Sequence, residues 1–390
     1  MAIFKSAMQY YEPRPSSDWN DADGKAWREG INLLLSGALV AKDWYMAARR
    51  ILYAGRINLH KSESVRLLLR TAREDLGTPC PIQHLLFANH QSFTKEAEFQ
   101  ALATDLIICC TELQHLEGSF SFAKSTPFPV FESLRELSVT DQLLHELAPL
   151  LQYLPNLESL NILCIIDPEQ PRAVKTGTPL HDNLGAALKD IPPPRFSLKK
   201  LHLSQCEIPL SQWRWLLSSC TSIQHAQLQE LKRGAVHLAD VIGPAVRSLR
   251  LEGAMDHPQK GDQELANTLP AYINLTSLQI NGGDWPWAQL LSDIKASLES
   301  FTISYSSAGV DNVTRVLSDS DWQPSLRCVE VYHWANVDYF YGVKASDVKD
   351  ARAKMEHACA RRSVKLCWIT EGRADIAEYY GVTENDLIIP

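Results

Sequence analysis

Leu198-Lys199-Lys200-Leu201-His202-Leu203, followed by Cys206, is the stretch from which the chain is read. Two residues separate its first two leucines, and one separates the second from the third. Leu201 and Leu203 recur with period two, which puts both side chains on one face of a strand. The phrase returns as Leu134, Leu137, Val139; Leu157, Leu160, Ile162; Leu275, Leu278, Ile280; Leu298, Phe301, Ile303; and Leu326, Val329, Val331. Weaker copies are Ile223, Ala226, Leu228 and Val246, Leu249, Leu251. An apolar run of helical character precedes most copies.

The middle positions Leu137, Leu160, Leu201, Ala226, Leu249, Leu278, Phe301 and Val329 stand 23, 41, 25, 23, 29, 23 and 28 residues apart by subtraction. All but one gap lie close to the ~20–29 residues of a leucine-rich repeat, which carries one strand and one helix. The predicted fold class is therefore α/β, a leucine-rich-repeat solenoid with parallel inner strands and outer helices. Each repeat buries its face on its neighbours, so a chain of 390 residues does not need one large core.

In such a fold the phrase leucines point inward, and the residues between them line an open concave side. Glu136, Ser138, Asn161, Lys200, His202, Arg250, Gln279, Asn281, Thr302, Glu330 and Tyr332 are the candidate partner-binding residues of that row. The row is mostly small and polar, with few charges of one sign. It suits a protein or peptide better than a polyanion.

The bulk numbers agree with an interaction protein. Apolar residues make up 45% of the chain, too many for a disordered protein. The formal net charge is -8, from 38 basic and 46 acidic residues. An acidic chain without a basic cluster is not expected to bind nucleic acid or a charged membrane surface. Nine cysteines show no Cys-x-x-Cys pair and read as small buried residues in a reducing compartment. Met1 to Tyr11 has no seven-residue apolar stretch, so a secretory leader is not expected. No apolar run reaches membrane-span length. The expected location is cytoplasmic or nuclear.

Residues 1–20 read as a loose tail with Pro13 and Pro15. Within residues 21–60, Leu39, Val40, Trp44, Ala47, Ala48, Ile51 and Leu52 recur at three and four, one face of a helix. Leu39-Val40-Ala41-Lys42-Asp43-Trp44-Tyr45-Met46-Ala47-Ala48-Arg49-Arg50-Ile51-Leu52-Tyr53 resembles the later half of an F-box. Arg56, Ile57 and Leu59 match the continuation common in fungal members. The Leu-Pro that usually opens the box is absent, and Trp27-Arg28-Glu29-Gly30-Ile31 stands in its place, so the box is degenerate. The resemblance implies a small N-terminal helical module that contacts the adaptor of an SCF-type, cullin-based ubiquitin ligase. Leu39, Val40, Trp44, Leu52 and Tyr53 would be its adaptor-binding residues. Members of the family often carry leucine-rich repeats after the box, and these recruit a protein target.

Residues 61–390 are assigned to the solenoid. Its long gap contains residues 167–179, where Pro168, Pro171, Gly177 and Pro179 mark an excursion. Strands are predicted at Ile82–Phe87, Leu116–Phe120, Phe131–Val139 and Ser363–Ile369. Met255–Asp262 reads as a polar loop.

No chemistry motif stands out. Phosphate loops, dinucleotide fingerprints and the nucleophile elbow are absent from the sequence, as are His-Glu-x-x-His and His-x-His pairs. No catalytic residue, metal site or cofactor is expected. Of ten tryptophans, Trp213, Trp215, Trp285, Trp287, Trp322 and Trp334 fall near repeat edges, as core filler or as binding hot spots.

Overall fold

The computed structural model describes residues 53, 55–74, 80–87, 97–120, 122, 126–140, 144–163, 188, 191–206, 210–231, 235–253, 260–282, 285–319, 321–335, 342–371 and 387–388. Two compact units divide the chain, Met1–Leu157 and Glu158–Pro390. Both have a solenoid-like α/β architecture in which parallel strands alternate with helices.

In the first unit β1 (Arg56–Leu59), β2 (His84–Phe87), β3 (His115–Gly118) and β4 (Glu136–Thr140) pair in parallel and in chain order. Their helices are α1 (Ser62–Glu74), α2 (Ala97–Cys109) and α3 (Leu144–Leu151). The ladder thus begins before residue 61, within the stretch that matches the fungal F-box continuation. Leu85, Phe87, Leu116, Leu137 and Val139 are fully buried beneath the helices. An edge-on aromatic contact joins Phe87 to Phe99 of α2, with ring centres 6.0 Å apart.

Among the described residues of the second unit nine strands follow one another in the same way. They are β5 (Ser159–Leu163), β6 (Lys200–Ser204), β7 (His225–Gln229), β8 (Ser248–Glu252), β9 (Ser277–Asn281), β10 (Ser300–Ser304), β11 (Cys328–Trp334), β12 (Lys365–Glu371) and β13 (Leu387–Ile388). Helices α4 (Leu210–Leu217), α5 (Ala235–Ile242), α6 (Lys260–Ala266), α7 (Trp287–Asp293), α8 (Ser307–Leu317) and α9 (Ala345–Arg361) lie between them, with a short 3-10 turn at Leu269–Ala271.

The three-part phrase has a definite structural meaning. Its second and third members occupy the strand and face the core: Leu201 and Leu203, Leu249 and Leu251, Leu278 and Ile280, and Phe301 and Ile303 are all at most 1% exposed. Its first member closes a turn ahead of the strand. The N–H of Leu157 donates to Leu154 O at 3.4 Å, that of Leu275 to Tyr272 O at 3.3 Å, and that of Leu326 to Gln323 O at 3.1 Å. The turn lies just before the first member, the two-residue gap is the strand entry, and the one-residue gap is the pleat. Fully burying each leucine contributes about 1.5–3 kcal/mol, an upper figure because the unfolded chain is already partly compact.

A second device repeats at the entries of β3, β4 and β6 to β11. One carbonyl accepts two successive N–H groups from the next repeat: Lys199 O from Gln224 (2.9 Å) and His225 (3.0 Å), and Gln224 O from Arg247 (2.9 Å) and Ser248 (2.9 Å). Arg247 O does the same for Thr276 (2.8 Å) and Ser277 (3.0 Å). This locks register before the ladder proper begins. A one-residue slip would turn every leucine outward.

The boundaries differ from expectation in identifiable ways. Phe131–Val139 is not all strand. Phe131 and Leu134 are buried but lie in the turn, and the strand is Glu136–Thr140. The expected polar loop at Met255–Asp262 overlaps the start of α6 at Lys260. Helix α8 was not anticipated, although Val310, Val313 and Leu317 recur along one face and are fully buried. The excursion expected at 167–179 lies outside the described residues. At the end of α9, Ser363 sits at φ 57°. Its N–H bonds Ala360 O at 3.2 Å, and the next N–H, Val364, bonds Cys359 O at 3.0 Å, a Schellman stop.

Among the described residues no helix is long and apolar enough to cross a membrane.

Candidate functional site: the open face of the parallel strands

Strand residues between the buried ones face away from the helices, and register aligns them in rows. In the second unit the central row runs Asn161, His202, Gln227, Arg250, Gln279, Thr302, Glu330 and Cys367, each paired with the next. A flanking row runs Ser159, Lys200, His225, Ser248, Ser277, Ser300, Cys328 and Lys365. On the other side Glu252 pairs with Asn281, and Ser304 with Tyr332. Strands without intervening bulges are what bring residues from distant repeats into these lines.

All of the candidate partner-binding residues lie on open-face positions, but not all stand equally free. In the second unit Lys200 is exposed, and Asn161, His202, Arg250, Gln279, Glu330 and Tyr332 are half-buried. Asn281 and Thr302 are only 6% and 7% exposed, shaded by longer neighbours. A partner would therefore meet the taller side chains, with Asn281 and Thr302 acting on those side chains from below. Gln227 and Gln229 belong to the same surface. Sequence reading missed them because Ala226 takes the place of a leucine in that repeat.

The polar groups tie one another down. Arg250 ion-pairs with Glu252 on its own strand. With its amide oxygen turned to Arg250, Asn281 accepts from Nε and from a terminal nitrogen, both at 3.2 Å, and its own nitrogen donates to Ser304 Oγ at 3.1 Å. Thr302 Oγ1 donates to Glu330 Oε2 at 3.3 Å, and Ser300 Oγ to Ser277 Oγ at 2.9 Å. Such networks hold side chains in place before a partner arrives and reduce the ordering cost of binding. Burial, reinforced by the charge of Arg250, holds His202 below the usual imidazole range. Its Nε2 and the neighbouring Asn161 Oδ1 are enclosed without a hydrogen bond inside the protein. Each such group costs about 1–3 kcal/mol until water or a ligand satisfies it.

The open face of the first unit is more highly charged. Arg56, His84, His115 and Glu136 form one row, and Glu117 pairs with Ser138 in the next. Glu136 is exposed, whereas Ser138 is 7% exposed and shaded by its neighbours. Arg56 donates to Glu117 Oε2 at 2.8 Å. The His115 ring stands between two carboxylates, with Nδ1 3.1 Å from Glu136 and Nε2 3.5 Å from Glu117. The bond to Glu117 raises the His115 pKa, opposed by burial and helped by Glu136. The same bond, with Arg56 nearby, holds the Glu117 carboxyl below its ordinary range.

Of the adaptor-binding residues, Leu39, Val40, Trp44 and Leu52 lie outside the described residues. Tyr53 is helical and half-buried, and its carbonyl accepts from Gln83 N at 3.2 Å. The tryptophans divide: Trp213, Trp285 and Trp287 are buried as core filler. Trp215 and Trp322 anchor neighbouring repeats by donating Nε1–H to Ile191 O at 2.8 Å and Leu291 O at 3.3 Å. None of the described cysteines is in a disulfide; five are buried and three half-buried. Two of the half-buried ones, Cys328 and Cys367, place their sulfurs together with a Glu330 oxygen within 4.8 Å of one another.

Compared with known proteins, the chain matches no family model and no curated protein.

Proposed function

We propose that this chain is a protein-interaction protein of the leucine-rich-repeat type that serves as the target-recognition subunit of an SCF-type ubiquitin ligase. The observation that carries the binding role is the in-register polar face of Glu158–Pro390, with His202, Arg250, Gln279, Glu330 and Tyr332 as its taller contact residues. Its balanced, hydrogen-bonded surface favours a protein partner over a polyanion, whose binding needs clustered positive charge. The ligase role rests on the F-box resemblance of Leu39–Tyr53 alone. Leu39, Val40, Trp44, Leu52 and Tyr53 would hold the adaptor and its cullin, and the repeats would hold the protein target.

A second reading, a leucine-rich-repeat scaffold without ligase association, is favoured by one feature. Trp27-Arg28-Glu29-Gly30-Ile31 stands where the opening Leu-Pro of the box belongs. Pull-down of the purified adaptor with the wild-type chain and with Trp44→Ala separates the two. Recovery with wild type and loss with Trp44→Ala supports the ligase subunit. No recovery with wild type supports the scaffold.

A further inference from the structure

We propose that Cys328, Cys367 and Glu330 form a binding site for a thiophilic divalent cation of the zinc class on the open face of β11 and β12. Glu330 pairs with Cys367 across the two strands, and Cys328 lies two residues before Glu330 on the same side of β11. Both sulfurs and a carboxylate oxygen lie within 4.8 Å of one another. Tetrahedral ligands at the usual zinc–sulfur length of about 2.3 Å stand roughly 3.8 Å apart. The three ligand atoms have at most about 1 Å to close to reach that spacing.

Two thiolates and a carboxylate are a donor set for zinc rather than for magnesium or calcium, which take oxygen ligands. All three side chains are half-buried, so the fourth position stays open to water or to a side chain of a bound protein. The Thr302 hydroxyl bonds Glu330 Oε2 at 3.3 Å and orients the carboxylate from outside, as groups behind metal ligands do. Burial and crowding by Cys367 and Glu330 push the Cys328 thiol up to about 11, against the pull of Lys365. A bound cation takes the place of the Cys328 proton and offsets the repulsion from Cys367 and Glu330. The cysteines belong to successive repeats and form no spacing motif, so only the strand register reveals the site. The inference is independent of any ligase association.

The test is cobalt(II) binding by the full chain, reduced and freed of metal, followed by zinc competition. Wild type is expected to take up one equivalent with a sulfur-to-cobalt charge-transfer band that zinc abolishes. Cys328→Ser and Cys367→Ser should each lose most of the band and bind at least ~100-fold more weakly, and Glu330→Gln ~10-fold more weakly. Cys109→Ser, which alters a half-buried cysteine on α2, should match wild type. Circular dichroism checks that each variant is folded. No uptake by reduced wild type would overturn the proposal, as would an undiminished band in both cysteine variants.

Discussion

Gln205 Nε2 donates to Glu230 Oε2 at 2.8 Å, and the two residues hold the same station at the exits of β6 and β7, with φ of 53° and 47°. The left-handed backbone turns the chain out of the strand. It lets the Gln205 N–H reach Gln229 O at 2.9 Å and the Glu230 N–H reach Glu252 O at 3.1 Å. Two repeats after Glu230 the same service falls to glycine: Gly282, after β9, has φ 54°.

That station reverses the usual order of alanine and glycine. Left-handed backbone costs a side-chain-bearing residue about 1–2 kcal/mol, and glycine escapes the penalty. Glu230→Ala keeps the strain and loses the bond to Gln205. Glu230→Gly loses the bond but relaxes. Chemical denaturation should find the glycine variant more stable than the alanine variant by about 1 kcal/mol. An alanine variant that is equal or better would mean the exit is not left-handed in solution.

Gly309 makes the opposite case inside a helix. It lies in the first turn of α8, where its N–H donates to Ser306 Oγ at 3.1 Å. A methyl group there would stand 2.7 Å from that oxygen and 2.8 Å from the Trp287 ring. Helix propensity alone favours Gly309→Ala by about 1 kcal/mol. Overpacking costs typically about 1–3 kcal/mol and should win. The melting midpoint of Gly309→Ala should fall.

The histidines of the first unit give its stability a pH signature. Arg56, His84, Glu117 and Glu136 surround His115, whose folded pKa is raised. A group that binds its proton more tightly when folded stabilises fully below its unfolded pKa of about 6.5, and that contribution is lost as pH rises through the folded value. His84, lowered first by burial and then by His115, works the other way, and its contribution is lost as pH falls. Removing His115 also relieves His84 of a like charge, but burial remains the larger influence there. His115→Gln should therefore destabilise more at about pH 5.5 than at about pH 8. An equal loss at both would remove the ionic role assigned to the ring.

The strand core was legible in the sequence because its signal is local. A period-two pair after a fixed gap marks an inward-facing strand wherever it falls, and it located Leu160 and Ile162, Leu201 and Leu203, and Leu278 and Ile280. The open-face candidates followed from the same alternation. The polar network did not, since it depends on which strands are neighbours. Nothing in the sequence brings Glu117 to Arg56 or Cys367 to Cys328. β1 was hidden because Arg56-Ile57-Asn58-Leu59 is too short to repeat the phrase. The shading of Thr302 and Asn281 also escaped notice, because it is set by the size of neighbours on adjacent strands.

The most direct measurement is partner capture by two folded forms of the full chain: wild type, and a variant carrying Lys200→Ala, His202→Ala, Arg250→Ala and Gln279→Ala. These side chains lie outside the leucine core, so the variant should stay folded, losing the contacts of Arg250 with Glu252 and Asn281, whereas Leu249→Ala, at a 1% exposed position, should lose about 2–5 kcal/mol. Quantitative mass spectrometry of captured proteins is expected to show specific partners of wild type falling at least ~tenfold with the open-face variant, the equivalent of about 1.4 kcal/mol of binding. The same partners captured in the same amounts by both forms would contradict the assignment of protein recognition to the open face.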